Sequence, residues 1–124
     1  MTNAEREAGI AAVLEKMTAM GMWEWRLHSF DGLHLRLAGG QDMTYSHFAQ
    51  ALFRDVTYVS CPVQMKHPRF RLATEHEARV SGAMDTLEPG TTVIAIESET
   101  ANSFEHLSVI VAASVEVTEG VFRY

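Results

Sequence analysis

The sequence predicts an α+β protein: an N-terminal helix packed on a mostly antiparallel sheet of about seven strands, with one short extra helix. Three observations carry that expectation. Apolar residues follow a helical period only as far as Gly21, and from Met22 onward they alternate as strands do. Turn-forming groups such as Asp31-Gly32, Ala38-Gly39-Gly40 and Glu88-Pro89-Gly90 cut the alternating part into strand-sized pieces. With 124 residues, of which 47% are hydrophobic and 21% charged, residues 1–124 make a single globular domain. A chain of that size buries roughly two-thirds of its unfolded surface and needs no metal or disulfide to fold.

The helix spans Thr2–Gly21. Thr2 and Glu5 stand at capping-box spacing, Glu5 and Glu7 place negative charge in the first turn, and Ile10, Val13, Leu14 and Met17 form one apolar stripe. Trp23, Trp25 and Leu27, then Leu33, Leu35 and Leu37, make the inward faces of a hairpin. Residues opposite each other must point the same way. A three-residue Phe30-Asp31-Gly32 loop meets that condition. It opposes Leu27 to Leu35, Trp25 to Leu37, Arg26 to Arg36 and His28 to His34. Gly39-Gly40 reads as a loop marker.

A long extended segment follows from about Thr44 to Ser60, with a bulge or bend near Arg54-Asp55 where the alternation slips. Pro62 should end it, because proline has no amide hydrogen for the ladder. A short strand is expected around Phe70 and Leu72. Thr74 with Glu77 repeats the capping-box spacing and predicts a short helix to about Ser81. The β-branched runs Thr92–Ser98 and His106–Thr118 read as central strands. At the end, a two-residue Glu119-Gly120 loop should oppose Val117 to Phe122 and Val115 to Tyr124.

Charge is unevenly spread. The net charge is −6, and its whole excess comes from residues 84–119, which contain Asp85, Glu88, Glu97, Glu99, Glu105, Glu116 and Glu119 and neither Lys nor Arg. That field disfavours nucleic acid and anionic membrane surfaces as partners and favours a basic protein. No apolar run is long enough for a transmembrane helix, and the acidic start MTNAEREAGI differs from a secretory signal. A single cysteine, Cys61, excludes an internal disulfide and fits a cytoplasmic setting.

Four groups of residues bear on chemistry. The expected register would bring His28 and His34 close enough to share a metal ion, but zinc normally takes three or four protein ligands, and Arg26 and Arg36 would repel a cation there. Cys61-Pro62 with His67 has the residue types of a haem-ligand pair or of a Cys/His nucleophile and base. Nothing in the sequence orients that base or surrounds the cysteine with a catalytic signature. Lys66, His67, Arg69, Arg71, His76 and Arg79 cluster cations that could clamp an anion, with Glu75 and Glu77 at hand to neutralise them. Finally, Glu97 and Glu99 share one strand face, and Glu105 follows the next turn.

Phosphate-loop, dinucleotide-loop, zincin and nucleophile-elbow motifs are absent, and no cofactor is called for. The expectation is therefore a binding or regulatory module without catalysis, engaging a basic partner through Glu97, Glu99 and Glu105. The competing expectation is a small metal-dependent or Cys/His enzyme built on His28/His34 or Cys61/His67. An edge carrying Val121, Phe122 and Tyr124 could also pair with a second copy in a homodimer.

Overall fold

A computed structural model describes residues 2–41, 46–100 and 103–123 of the chain. Helix α1 (Asn3–Ala19) is followed by β1 (Glu24–Phe30), β2 (Leu35–Gly40), β3 (Ser46–Arg54), β4 (Tyr58–Ser60) and β5 (Gln64–Leu72). Helix α2 (Glu75–Val80) and a 3-10 turn (Ala83–Thr86) then lead into β6 (Thr92–Thr100), β7 (Ser103–Ala112) and β8 (Ser114–Arg123). The α+β expectation holds, with eight strands in one antiparallel sheet ordered β4-β7-β6-β5-β1-β2-β3-β8. No helix among the described residues is long and apolar enough to cross a membrane.

The two ends of that order are joined through the chain. β3 runs into β4 through Asp55, whose φ of 54° makes the bend expected near Arg54-Asp55. β7 runs into β8 through the single residue Ala113. Pairing continues through this corner. Arg54 faces Ser114 on one side and Tyr58 faces Val111 on the other; between them Ala113 N–H donates to the Arg54 carbonyl and Thr57 N–H to the Val111 carbonyl. Two bent strands thus pair along their lengths and curl the sheet into a barrel-like ring.

The inside of the curl is apolar. Trp25, Leu37, Phe53, Met65, Phe70, Ile94, Ile96 and Ile110 meet Ile10, Leu14 and Met17 of α1 in one buried cluster. The helix packs against β5 and β8, strands far apart in the ladder. Polar contacts fix its position: Thr18 Oγ1 accepts from Phe70 N–H at 2.9 Å, while Arg6 donates to the carbonyls of Ala113 and Thr91. On the outer surface, Ala83 of the 3-10 turn covers Val109 and Val111 beside Tyr58 and Val93. Tyr58 Oη donates to the Ser81 carbonyl and ties that turn down.

Both N-caps form, but the full capping box appears only at α2, since at α1 the Glu5 carboxylate accepts from the Thr2 hydroxyl instead of the Thr2 amide. Thr2 accepts from the Glu5 amide, and Thr74 and Glu77 complete a reciprocal box at α2. Several other expectations need correction. Leu27 faces Leu37 and Trp25 faces Gly39, two residues away from the expected register, and the strand bulges between Leu27 and Ser29. A slip of two leaves Trp25, Leu35 and Leu37 on their expected buried face, so alternation cannot detect it, while Leu33, expected inward, falls in the loop and is 50% exposed. The choice is made by size, since the indole of Trp25 lies where a side chain on Gly39 would project. Gly39 and Gly40 are accordingly buried strand residues rather than a loop.

Trp23 precedes β1, escapes its alternation and is 52% exposed instead of being core. The strand expected around Phe70 begins at Gln64 and is interrupted by a bulge between Lys66 and Arg69. The run 106–118 is broken at Ala113. No hairpin closes at Glu119-Gly120, because residues 114–123 form one strand along β3, and Gly120 sits where the register shifts opposite His47–Ala49. Thr44, at the expected start of the long segment, and Tyr124 lie outside the described residues.

Candidate functional site: a mixed-charge cleft on the outer sheet face

β6 sends Ile94 and Ile96 into the core, so Glu97 and Glu99 point out. Antiparallel pairing sets Arg69 of β5 opposite Glu97 and Lys66 opposite Glu99, with Leu107 of β7 on the other side of Glu97. α2 stands at the rim and contributes Glu77. Arg69, Glu77, Glu97, Glu99 and Leu107, together with Glu105, His67 and His106 and with the β6 backbone at Ser98 between them, line a surface cleft of about 490 Å³. Glu97, Glu99 and Glu105, picked from sequence on the basis of charge alone, come to this one place.

The β5 part of the cation cluster, Lys66, His67, Arg69 and Arg71, occupies the same surface, whereas Arg79 pairs with Glu75 along α2. Arg71 makes a two-pronged ion pair with Glu77 at 2.6 and 2.7 Å and reaches Glu97 at 3.2 Å. The Arg71 hydrogen bonds, helped by the Thr74 amide, hold the Glu77 carboxyl at a pKa of about 2. Glu77 in return raises that of the guanidinium. His67 Nδ1 lies 2.9 Å from Glu99 Oε2, and the ring meets Trp23 edge-on with centroids 4.6 Å apart. The His67 backbone holds a φ of 48°, a left-handed conformation imposed by the bulge beside Pro68. The two charge groups are one interleaved surface, which sequence separation concealed.

The His28/His34 pair is not formed. His34 falls in a four-residue loop closed by Asp31, whose carboxylate accepts from the His34 amide at 2.7 Å and the Leu33 amide at 2.9 Å. Those two amides lower the Asp31 carboxyl pKa. His28, at the bulge, approaches the buried His47 instead, with ring centroids 5.3 Å apart. His47 in turn stacks on Phe122 at 4.9 Å, and the Gln50 amide nitrogen lies 3.0 Å from its Nε2. Burial, followed by the neighbouring His28, lowers the His47 pKa. The His28–His47 contact joins β1 to β3 and has no signature in local sequence.

Cys61 and His67 have separate surroundings. The thiol packs against the core, where burial raises its pKa, the opposite of what a nucleophile requires. His67 is exposed and occupied by Glu99 and Trp23. Among the described residues no group of three or more His, Cys, Asp or Glu side chains is arranged to hold a metal ion. Sequence reasoning passed over Ser98 and His106. Both residues border the cleft, but Ser98 shares the inward side of β6 with Ile94 and Ile96 and its hydroxyl is buried there. Compared with protein-family models, curated proteins and solved structures, the chain finds no match.

Proposed function

We propose that the protein is a non-catalytic binding module that takes a basic segment of a partner protein in the cleft, using Glu97, Glu99 and Glu105. The observation behind this reading is that three carboxylates from two neighbouring strands converge on one recess of about 490 Å³. Each carboxylate has two oxygens and about four acceptor sites. Glu97 and Glu99 can therefore hold their own Arg71 and His67 while accepting a further donor. The lone, half-buried thiol of Cys61 suits work in a reducing cytoplasm.

The test uses a fluorescent nonapeptide with lysine at alternate positions, KAKAKAKAK, titrated by anisotropy. Binding should weaken several-fold between about 0.05 and 0.3 M salt, as screened charge contacts do. It should be lost in the Glu97→Lys/Glu99→Lys double variant. Equal affinity in that variant would remove the cleft from consideration.

Self-association is a second reading. Eight residues of β8 pair with β3 on one side, and no strand among the described residues pairs on the other. A second copy can add its own β8 along that edge. Of the expected apolar edge, Val121 is exposed, whereas Phe122 is partly buried and turned onto His47. Sedimentation velocity should show a dimer that a Val121→Pro substitution breaks.

A further inference from the structure

The free edge of β8 carries its own complement. β3 alternates strictly, with His47, Ala49, Ala51 and Phe53 all buried, and opposite them β8 sets Phe122, Glu119, Val117 and Val115. Directly opposed residues point to one side, so these four share the inner face; Glu119 accordingly reaches Lys16 of α1 at 3.5 Å. Glu116, Thr118 and Arg123, opposite Leu52, Gln50 and Ser46, share the outer face. Between Glu119 and Phe122 the strand takes one residue more than β3 does, a bulge that exchanges odd and even positions between its two arms.

The bulge decides how a second β8 can lie along the edge with both arms. Two antiparallel copies are related by a two-fold axis, and every contact then occurs twice. An axis through Glu119 or Gly120 would set Phe122 against Glu116 or Thr118, inner face against outer. An axis between Glu119 and Gly120 matches the faces: Val117 opposes Phe122 on the inside, and Glu116 opposes Arg123 on the outside. Moving that axis back by one residue sets outward Thr118 against inward Glu119, and moving it forward sets Arg123 against Thr118 instead of Glu116.

Charge selects the same register independently. Glu116 and Arg123 are both exposed, as are Thr118, Glu119, Gly120 and Val121 between them. Among the described residues Arg123 forms no ion pair, and Glu116 holds Arg54 at 2.9 Å with acceptor sites to spare. We infer that the partner of β8 is the β8 of a second copy, antiparallel about a two-fold axis between Glu119 and Gly120, with Glu116 of each copy meeting Arg123 of the other. The inference rests on the self-association reading and adds the register that makes it specific.

Charge reversal, read by sedimentation velocity, tests that register. Glu116→Arg and Arg123→Glu each bring like charges together at both contacts, and each should weaken dimerisation at least about ten-fold. Arg123 has no ion pair within its own chain to lose, so its reversal reads the interface alone. An equimolar mixture of the two variants should recover the dimer, because unlike charges then meet at both contacts. If either reversal leaves dimerisation intact, or the mixture is no more dimeric than its components, this register is overturned while self-association stands. A wild-type protein that stays monomeric at about 1 mM, where even a weak association of about 4 kcal/mol is visible, overturns both.

Discussion

Replacing Gly39 with alanine should destabilise the protein through a single contact. A Cβ at that position would lie 2.7, 2.8 and 2.9 Å from Cε2, Cδ2 and Cε3 of Trp25. Carbon atoms in ordinary contact sit about 3.5–4.0 Å apart, so the indole has to retreat by most of an ångström. It has little room, being 1% exposed and packed edge-on against Phe70 at 5.5 Å. Overfilling a packed core in this way costs about 1–3 kcal/mol, while removing a glycine from a strand returns about 0.5–1 kcal/mol. The net loss is therefore at most about 2.5 kcal/mol and centred on about 1.3 kcal/mol. With a urea dependence near 2 kcal/mol per molar for a domain of this size, the unfolding midpoint should fall by roughly 0.5–1 M.

The mechanism is checked in a Trp25→Leu background, where the smaller side chain clears the site. There Gly39→Ala should be neutral or slightly stabilising, even though Trp25→Leu itself costs several kcal/mol by leaving a cavity. A wild-type midpoint for Gly39→Ala, or the same loss in both backgrounds, would refute the claim that this contact sets the hairpin register.

Three further outcomes concern charge and protonation. Glu77→Gln keeps the helix cap but loses the ionic bond to Arg71, and should cost about 1 kcal/mol at neutral pH. Because folding lowers the Glu77 pKa from 4.5 to about 2, the wild-type advantage is complete above about pH 4.5. Urea midpoints should converge as the pH falls towards 2; a difference independent of pH would show that the cap, not the charge, is responsible. His47, depressed below its ordinary 6.5, should titrate by NMR with a midpoint under that value. The unfolded chain then binds the extra proton first, so stability declines as the pH drops through 6.5; a midpoint at or above 6.5 contradicts the burial argument. Cys61, its thiol pKa raised by burial, should react with iodoacetamide at pH 8 at least several-fold more slowly than free cysteine. Equal rates would show an accessible thiol.

What was legible in the sequence was local. The caps at Thr2 and Thr74 depend on residues three apart, so their spacing alone reveals them. The bend at Asp55 shows as a break in alternation. The inner faces of β2, β3 and β6 follow from a period of two, which each strand carries in its own residues. The hairpin illustrates the limit, because alternation constrains register only to within an even number of residues. Leu35 and Leu37 are equally good inward partners for Leu27 until the size of Trp25 is set against Gly39. Gly39-Gly40 reads as a loop because glycine is a turn residue, yet at Gly39 it is also the residue that leaves room for the indole of Trp25.

The candidate site was half legible. Glu97 and Glu99 stand out as outward residues of an apolar strand, and the run from Lys66 to Arg79 stands out as cationic. Which carboxylate meets which cation is not written in either segment. Nor is the exposure of Trp23, which depends on where β1 begins.

Composition, hydrophobic period and capping pairs determined the α+β class, the helices and the face each strand turns to the core, because those properties act over a few neighbouring residues. Tertiary structure alone decided the strand order, the closure through Ala113, the pairing of His28 with His47 instead of His34, and the meeting of the acidic third with the basic cluster. Those outcomes rest on contacts between segments tens of residues apart, where the volume and charge of the partner, not the local pattern, set the geometry.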